Sequence, residues 1–380
     1  MKLVFAIKSL NVVGGGAERV LVEVANGLAE RGHDLTVLTF DGPGSSFYSL
    51  HPKVARLDLA IGLPGQPTPR LNLLGGLPRM RKLIGRIHPD LVVGFMHSMY
   101  LPLGVALLGS GLPLIASEHV GSVHFQRRPL QRAMVRFGDA LIVAKTVPSE
   151  VIRAEYGTSG RTPVTVLANP LALEPLQGIA SQPPSDPPVI LSVGRLMAEK
   201  NQSELIAAFG LLAERYPLWT LRIVGEGELR STLEAEIKAR GLEQRIELPG
   251  ATRDMPQEYE RAAIVAVPSR YESFGMVTAE AQACGRPVIG FADCSGTNEL
   301  IVDGENGLLV SGDGDRVANL AEGLERLILD ESLRLRLGVA GPEAVQKFSV
   351  KNVLNLWEDF SLKLMRFANN RHKFGKEKIL

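Results

Sequence analysis

Short apolar runs alternate with amphipathic segments along almost the whole chain. In the first half, Lys2–Ile7, Asp34–Thr39, Leu91–Met96, Leu112–Ala116, Ala140–Val143 and Val164–Leu167 predict strands. In the second half, Val189–Val193, Thr220–Val224, Ile246–Leu248, Ile264–Val267, Pro287–Ile289 and Gly307–Val310 do the same. Helical patterns lie between them. Ala17, Val20, Leu21, Val24, Ala25, Leu28 and Ala29 recur at the spacing of one helix face. Gln202–Glu214 and Glu228–Arg240 fit further helices, and Val353, Leu356, Trp357, Phe360 and Leu364 predict a long final one over Ser349–Phe367. Apolar strands alternating with helices imply parallel sheets covered on both faces.

One stretch interrupts the alternation. Asn169 to Pro188 holds Pro170, Pro175, Pro183, Pro184, Pro187 and Pro188, the signature of a linker. The expected organisation is therefore a first α/β domain over 1–170 and a Pro-rich linker over 171–188. A second α/β domain follows over 189–350, then a final helix and basic tail over 351–380. Both domains read as doubly wound and Rossmann-like. Ligands of such sheets bind outside the carboxyl ends of the strands, so the expected site is a cleft between two facing domains. Leu91 to Ser117 carries no Asp, Glu, Lys or Arg, but Pro102, Pro113 and four glycines break it. It reads as strand, short helix Pro102–Leu108 and strand, not as a membrane span.

Size and composition narrow the classes. The 380 residues are too many for one ordinary core, and 45% hydrophobic with 22% charged residues is a globular balance. Two cysteines, Cys284 and Cys294, exclude a disulfide scaffold and cannot build a zinc ribbon. The net charge of +1 gives no reason to expect nucleic acid, yet it hides an asymmetry. Residues 1–170 carry 18 Lys+Arg against 11 Asp+Glu, residues 171–350 carry 17 against 27, and residues 351–380 carry 7 against 3. A basic front half and tail point to an anionic partner on one side of the molecule. The apolar start Leu3–Ile7 stops at Lys8, too short for a secretory signal.

The chemistry-bearing motifs follow predicted strands. Ser269-Arg270-Tyr271-Glu272-Ser273-Phe274-Gly275-Met276-Val277-Thr278-Ala279-Glu280 comes after Ile264–Val267. A helix starting near Gly275 offers free amides and the positive end of its dipole to an anion. Glu272 and Glu280 then stand on either side of a bound diphosphate, ready to accept hydrogen bonds from sugar hydroxyls. An exposed Glu beside an ordinary helix Glu is the plain structural alternative. Gly194-Arg195-Leu196-Met197-Ala198-Glu199-Lys200 follows Val189–Val193, and its Arg195 and Lys200 can converge on a phosphate pair. The alternative is two solvated surface cations.

Taken together, these two motifs resemble the nucleotide-sugar glycosyltransferases of family 4. The resemblance extends through Val224-Gly225-Glu226-Gly227, Gly250-Ala251-Thr252-Arg253-Asp254, Gly290–Glu299 and Asn306–Val310. It implies the GT-B fold, with the C-terminal helix crossing back to the first domain. It also implies roles by position. Arg195 and Lys200 would hold the donor diphosphate. Glu280 would take the ribose hydroxyls. Glu272, with the amides of Phe274, Gly275 and Met276 and the neighbouring Val277, would hold the donor sugar and distal phosphate. Gly225 and the Arg253 loop would border the nucleotide, and the segment leading to Glu299 departs from commoner versions.

The first half supplies the remainder. Gly14-Gly15-Gly16-Ala17-Glu18-Arg19 follows the first strand and suits a phosphate loop. A dinucleotide loop is the rival reading, weakened by Arg19 where a small residue is required. Within the resemblance, Gly15 and Gly16 face the donor phosphates. His119 ends the strand Leu112–Ala116, and the matching family position carries a histidine that contacts the donor sugar. No His, Cys or acid spacing suggests a metal, and no cofactor is expected.

Two acid-free basic stretches remain. One holds Arg70, Arg79, Arg81, Lys82 and Arg86, the other Arg127, Arg128, Arg132 and Arg136. With Lys363, Arg366, Arg371, Lys373, Lys376 and Lys378 of the tail, they suggest peripheral contact with an anionic bilayer. The resulting expectation is a cytoplasmic, retaining, metal-independent glycosyltransferase at the inner face of the membrane. It would use a UDP-sugar and a glycan or polyprenyl-diphosphate-linked acceptor, with no nucleic acid. A nucleotide-sugar epimerase on the same fold, an NAD-dependent oxidoreductase and a non-catalytic glycan binder are the alternatives.

Overall fold

Strand β1 (Lys2–Ile7) shows how the sequence alternation is used. In the computed structural model, which describes residues 1–373 apart from 13–14, 43–45, 64–67, 126–127, 157–161, 177 and 182–183, this strand is buried on both sides. Leu3, Phe5 and Ile7 join a core with Val24, Leu28 and Trp357, while Val4 and Ala6 join another with Met80 and Met99. The period of two divides one strand between two cores, as a sheet covered on both faces requires.

The first unit comprises Met1–Pro170 and Val350–Leu380. Its elements are β1, α1 (Gly16–Glu30), β2 (Asp34–Thr39), β3 (Ala55–Asp58), α2 (Arg70–Ile87), β4 (Leu91–Phe95), α3 (His97–Ala106) and β5 (Leu114–Ser117). Then come α4 (Pro129–Gly138), β6 (Ala144–Val147), α5 (Glu150–Tyr156) and β7 (Val164–Val166). The seven strands are ordered β3-β2-β1-β4-β5-β6-β7, all parallel.

The second unit is Leu171–Ser349. It runs β8 (Val189–Val193), α6 (Gln202–Leu212), β9 (Thr220–Val224), α7 (Arg230–Ala239), β10 (Ile246–Gly250), α8 (Met255–Arg261) and β11 (Ala262–Val267). It continues through α9 (Met276–Ala283), β12 (Val288–Phe291), α10 (Ser295–Leu300), β13 (Leu308–Val310), α11 (Arg316–Leu329) and α12 (Glu331–Val345). Its six parallel strands are ordered β10-β9-β8-β11-β12-β13. Each sheet reverses its direction of growth once, between β1 and β4 and between β8 and β11. At such a switch point the two adjacent loops leave in opposite directions and open a crevice at the carboxyl edge.

The last helix, α13 (Val350–Lys373), returns to the first unit. Gly27 of α1 makes this possible, because a Cβ there would lie 2.4 Å from Leu354 Cδ1. Arg31 and His33 then reach Glu358, His33 Nε2 at 2.7 Å from Oε1.

Several expected boundaries move, each for a physical reason. The strand expected at Ala140–Val143 lies four residues later, and Asp139–Leu141 is a 3-10 turn. Lys145 is the cause. It reads as a break in an apolar run, yet its ammonium is buried against Asp139 Oδ1 at 2.7 Å and lies 4.3 Å from the Tyr156 ring centroid. The edge strand β3 went unpredicted because Arg56 and Asp58 pair with each other at 2.9 Å and hide its pattern. The helix expected at Pro102–Leu108 starts earlier, at His97, and carries Pro102 inside it. The proline-rich stretch is not a free tether. Leu171, Leu173, Leu176 and Ile179 are buried, and Leu171 donates to Phe348 O at 2.8 Å.

Candidate active site

The switch point of the second sheet collects the motifs. After β8 the chain turns at Gly194, passes Arg195 and a 3-10 turn Ala198–Lys200, and enters α6. Two glycines of the neighbouring loop let this turn settle. A Cβ on Gly225 would lie 1.9 Å from Gly194 O, and one on Gly227 would lie 2.3 Å from Leu196 O. Gly225 thus supports the loop that carries Arg195. Amides stitch the layers, Gly194 N to Val224 O at 3.0 Å and Gly225 N to Gly250 O at 2.9 Å.

The loop after β11 is fixed as tightly. Arg270 N donates to Glu199 O at 2.9 Å and Asn201 Nδ2 to Pro268 O at 3.2 Å, which ties it to the β8 loop. Glu272 O accepts Gly296 N at 2.9 Å and Ser295 Oγ at 3.0 Å. Gly275 precedes α9 with a φ of +87°, a conformation that favours glycine. Phe274 is buried edge-on against Phe348, with ring centroids 5.0 Å apart. Met276 and Val277 form the first turn of α9, whose leading amides have no acceptor within the helix.

These ties bring together two residues 72 positions apart. Lys200 Nζ lies 2.6 Å from Glu272 Oε1, which also accepts Ser269 Oγ at 2.8 Å. Their side chains are only 18% and 14% exposed. Arg195 is exposed and has no acidic partner among the described residues. Glu280 is no ordinary helix glutamate. It is buried, and its Oε2 accepts the Tyr259 hydroxyl at 2.7 Å. Arg253 and Glu299 are exposed on the loop after β10 and on α10.

The first unit presents its own carboxyl edge. Gly15 caps α1, and a Cβ there would meet the Glu18 carboxylate at 2.2 Å. A Cβ on Gly16 would meet nothing, so this backbone is open to an incoming group. Gly14 lies outside the described residues, as do Arg127, Lys376 and Lys378 and the side chains of Arg70, Arg371 and Lys373. His119 follows β5, its ring stacked on Phe95 at 5.6 Å and its Nε2 3.1 Å from Ser117 Oγ. Burial pushes its pKa down to about 4, against the opposing pull of Glu118, so the imidazole is neutral at physiological pH.

Two partners of His119 escaped the sequence reading. Glu118 is fully buried and accepts His119 N at 3.1 Å, His97 N at 3.2 Å and Tyr100 Oη at 3.3 Å. Its position beside His119 at a strand end was the available signal. Trp357 of α13 stacks on the far side of the cluster, 6.2 Å from Phe95 and at an interplanar angle of 18°. Nothing local links a residue so late in the chain to His119. Among the described residues, no three His, Cys, Asp or Glu side chains converge as a metal site.

Known proteins share the sequence pattern and the fold. The model of "Glycosyltransferase Family 4" matches residues 14–174, and that of "Glycosyl transferases group 1" matches residues 178–344. The chain belongs to the family 4 glycosyltransferases. An uncharacterized glycosyltransferase of Haemophilus influenzae is 26% identical over 90% of this chain and 95% of its own length. A Campylobacter jejuni N-acetylgalactosaminyltransferase, named for an undecaprenol-diphosphate-linked sugar acceptor, is 28% identical over 97% and 99%. Among solved structures, sucrose-phosphate synthase of Thermosynechococcus elongatus has a TM-score of 0.82 at 21% identity, covering 96% of this chain and 100% of that one. Anabaena HepE in complex with UDP and glucose has a TM-score of 0.76 at 22% identity, covering 95% and 99%. The fold is thus GT-B, as the strand pattern and motifs implied. Within this family 4 glycosyltransferase, the oxidoreductase reading of the Gly14–Arg19 loop falls away.

Proposed function

We propose that this glycosyltransferase moves a hexose or N-acetylhexosamine from a nucleoside diphosphate sugar to a hydroxyl of a glycan acceptor. A UDP-sugar is the first choice of donor, transfer proceeds with retention, and no divalent cation is required. The observation that carries this reading is the Lys200–Glu272 pair at the β8/β11 switch point, beside the exposed Arg195 and the start of α9. A diphosphate is a dianion or more. Two cations and a row of free amides are the complement for such a group, and they act most strongly as its charge grows in the transition state.

The reaction balances without a further reagent. The bond from the anomeric carbon to the diphosphate oxygen breaks, and the acceptor oxygen bonds to that carbon on the same face. The acceptor proton passes to the leaving phosphate. Arg195, Lys200 and the α9 amides stabilise the released diphosphate. Glu280, oriented by Tyr259, accepts the ribose hydroxyls. Glu272 exchanges its contact with Lys200 for hydroxyls of the donor sugar. Neutral His119 offers a hydrogen bond to that sugar without adding charge, and Gly15 and Gly16 approach the phosphates. Covalent retention needs a carboxylate beneath the anomeric carbon. Glu272 is instead held by Lys200 and Ser269, which suits positioning.

The acceptor is proposed to be lipid-linked. The Campylobacter relative's name supports this, and so does the surface of the first unit. Helices α2 and α4 expose Leu71, Leu74, Leu130, Met134 and Phe137 among Arg79, Lys82, Arg132 and Arg136. Apolar side chains framed by cations suit the face of an anionic bilayer. No helix among the described residues is long and apolar enough to cross a membrane. The test is release of nucleoside diphosphate from a panel of UDP-, GDP- and ADP-sugars, with EDTA and a bacterial lipid extract. Release from one sugar, stimulated by lipid, supports the reading. Conversion of the sugar without stimulation by any acceptor supports the epimerase. Absence of both turnover and binding overturns it.

A further inference from the structure

The first sheet has a switch point of its own, between β1 and β4, and a cavity of about 330 Å³ opens there. Lys8, directly after β1, and His97, at the start of α3, line it, with Phe40 and Met134 on its walls. Its volume is at the small end of ligand pockets. Three polar atoms distinguish it from an ordinary gap under helices. Thr68 Oγ1, Gln131 Oε1 and His97 Nδ1 are all buried without a hydrogen-bond partner among the described residues, and all three residues line this cavity. Such orphaned atoms are uncommon, and each is destabilising unless something fills the space. They come from three separate segments, which local strain in one loop does not explain.

The ammonium of Lys8 completes the set. Burial lowers its pKa, and Asp41 opposes that shift. A charge partly stripped of water gains from a further anion. The neighbouring acids are Asp41, which also accepts Leu10 N at 3.0 Å, and Glu118, 3.3 Å from His97 Nδ1 without hydrogen-bond alignment. The Glu118 carboxylate bridges His97 to His119 by accepting the backbone N–H of each. The cavity is therefore one buried carboxylate away from the candidate catalytic histidine.

We infer that this cavity is a subsite for one anionic sugar ring of the acceptor, bound through Lys8, Thr68, His97 and Gln131. The inference rests on the transferase reading above. Apolar walls suit the C–H faces of a pyranose, and the orphaned atoms suit its hydroxyls. A carboxylate or a phosphate could supply the charge, and both share the chemistry that Lys8 recognises.

The test is ligand-observed NMR on the full chain with methyl glucuronide, glucose 1-phosphate and methyl glucoside, alongside a UDP titration. Saturation transfer to the first two, at least fivefold stronger in affinity than to the neutral glucoside, is expected. The ratio between the two anions tells carboxylate from phosphate. Gln131→Leu and Thr68→Val should each weaken that binding fivefold or more, and Lys8→Met should erase the preference for charge, while UDP affinity stays unchanged in all three. A thermal unfolding profile unchanged from wild type shows that the first unit of each variant folds. UDP binding with no binding of any sugar overturns the subsite alone. Equal binding of neutral and anionic rings, or binding untouched by Gln131→Leu and Thr68→Val, does so too. Failure of UDP itself to bind overturns the transferase reading instead.

Discussion

At the scale of single residues, the informative contact is Lys200 with Glu272. The pair is held partly out of water, so removing one charge leaves the other uncompensated. Glu272→Gln keeps the Ser269 contact but frees Lys200 for phosphate. UDP should then bind as tightly as before or several-fold tighter in calorimetry. Sugar transfer should fall by about 100-fold, since a group aimed at the reacting sugar is gone. Loss of UDP affinity in step with turnover would contradict this division of labour. His119 gives a second residue-scale prediction. Its folded pKa of about 4 lies below the ordinary 6.5. Between those values the unfolded chain takes up a proton that the folded one refuses. Stability therefore declines as pH falls from 6.5 to 4, by about 3 kcal/mol at 1.36 kcal/mol per pKa unit, and levels off below. His119→Asn should flatten that window in denaturant titrations, and the NMR titration of the His119 ring should have its midpoint near 4.

At the scale of elements, α13 determines more than its position in the sequence suggests. Its Trp357 stacks on Phe95, which stacks on His119. The helix was legible from its apolar stripe, and its return to the first domain followed from the resemblance, but the Phe95 contact was not legible, because it spans most of the chain. Trp357→Ala should cost about 3–5 kcal/mol as a core truncation. A purely structural role ends there. A positioning role predicts in addition that the His119 midpoint rises toward 6.5 as water enters, and that kcat falls with donor KM unchanged. Trp357→Phe should restore both. Strand β6 teaches the opposite lesson about legibility. Its apolar run was read four residues early because Lys145 looked solvated, and only Asp139 and Tyr156, brought in by the fold, make a buried lysine tolerable. Strands β1, β2, β8 and β9 agree with their sequence pattern to the residue.

At the scale of the whole molecule, two sheets each reverse direction once, and each switch point holds the residues with chemistry. The alternation of the chain carried the fold class, and strand-end position carried Arg195, Lys200, Glu272 and His119 as candidates. The burial of Glu280 under Tyr259 and the role of Glu118 were not legible, since both depend on neighbours distant in sequence. The charge asymmetry belongs to this scale as well. The full chain should sediment with phosphatidylglycerol vesicles and not with phosphatidylcholine vesicles, and salt at 0.5 M should release it. Replacing Leu71, Leu74 and Phe137 together by Ser should weaken that binding by about tenfold or more, at 20–33 cal/mol per Å² of apolar area lost. Equal sedimentation with both lipids would remove the electrostatic argument.

On the proposed function, the β8/β11 switch point binds the diphosphate of a nucleotide sugar. The most direct measurement is calorimetric titration of UDP into the wild-type chain and into Lys200→Met. A charge-assisted contact contributes about 1.5–3 kcal/mol, so the variant should lose roughly 10- to 100-fold in affinity at a temperature well below its Tm, which the uncompensated Glu272 lowers. A wild-type chain that binds no nucleoside diphosphate, or a Lys200→Met chain that binds UDP as well as wild type, would contradict the account.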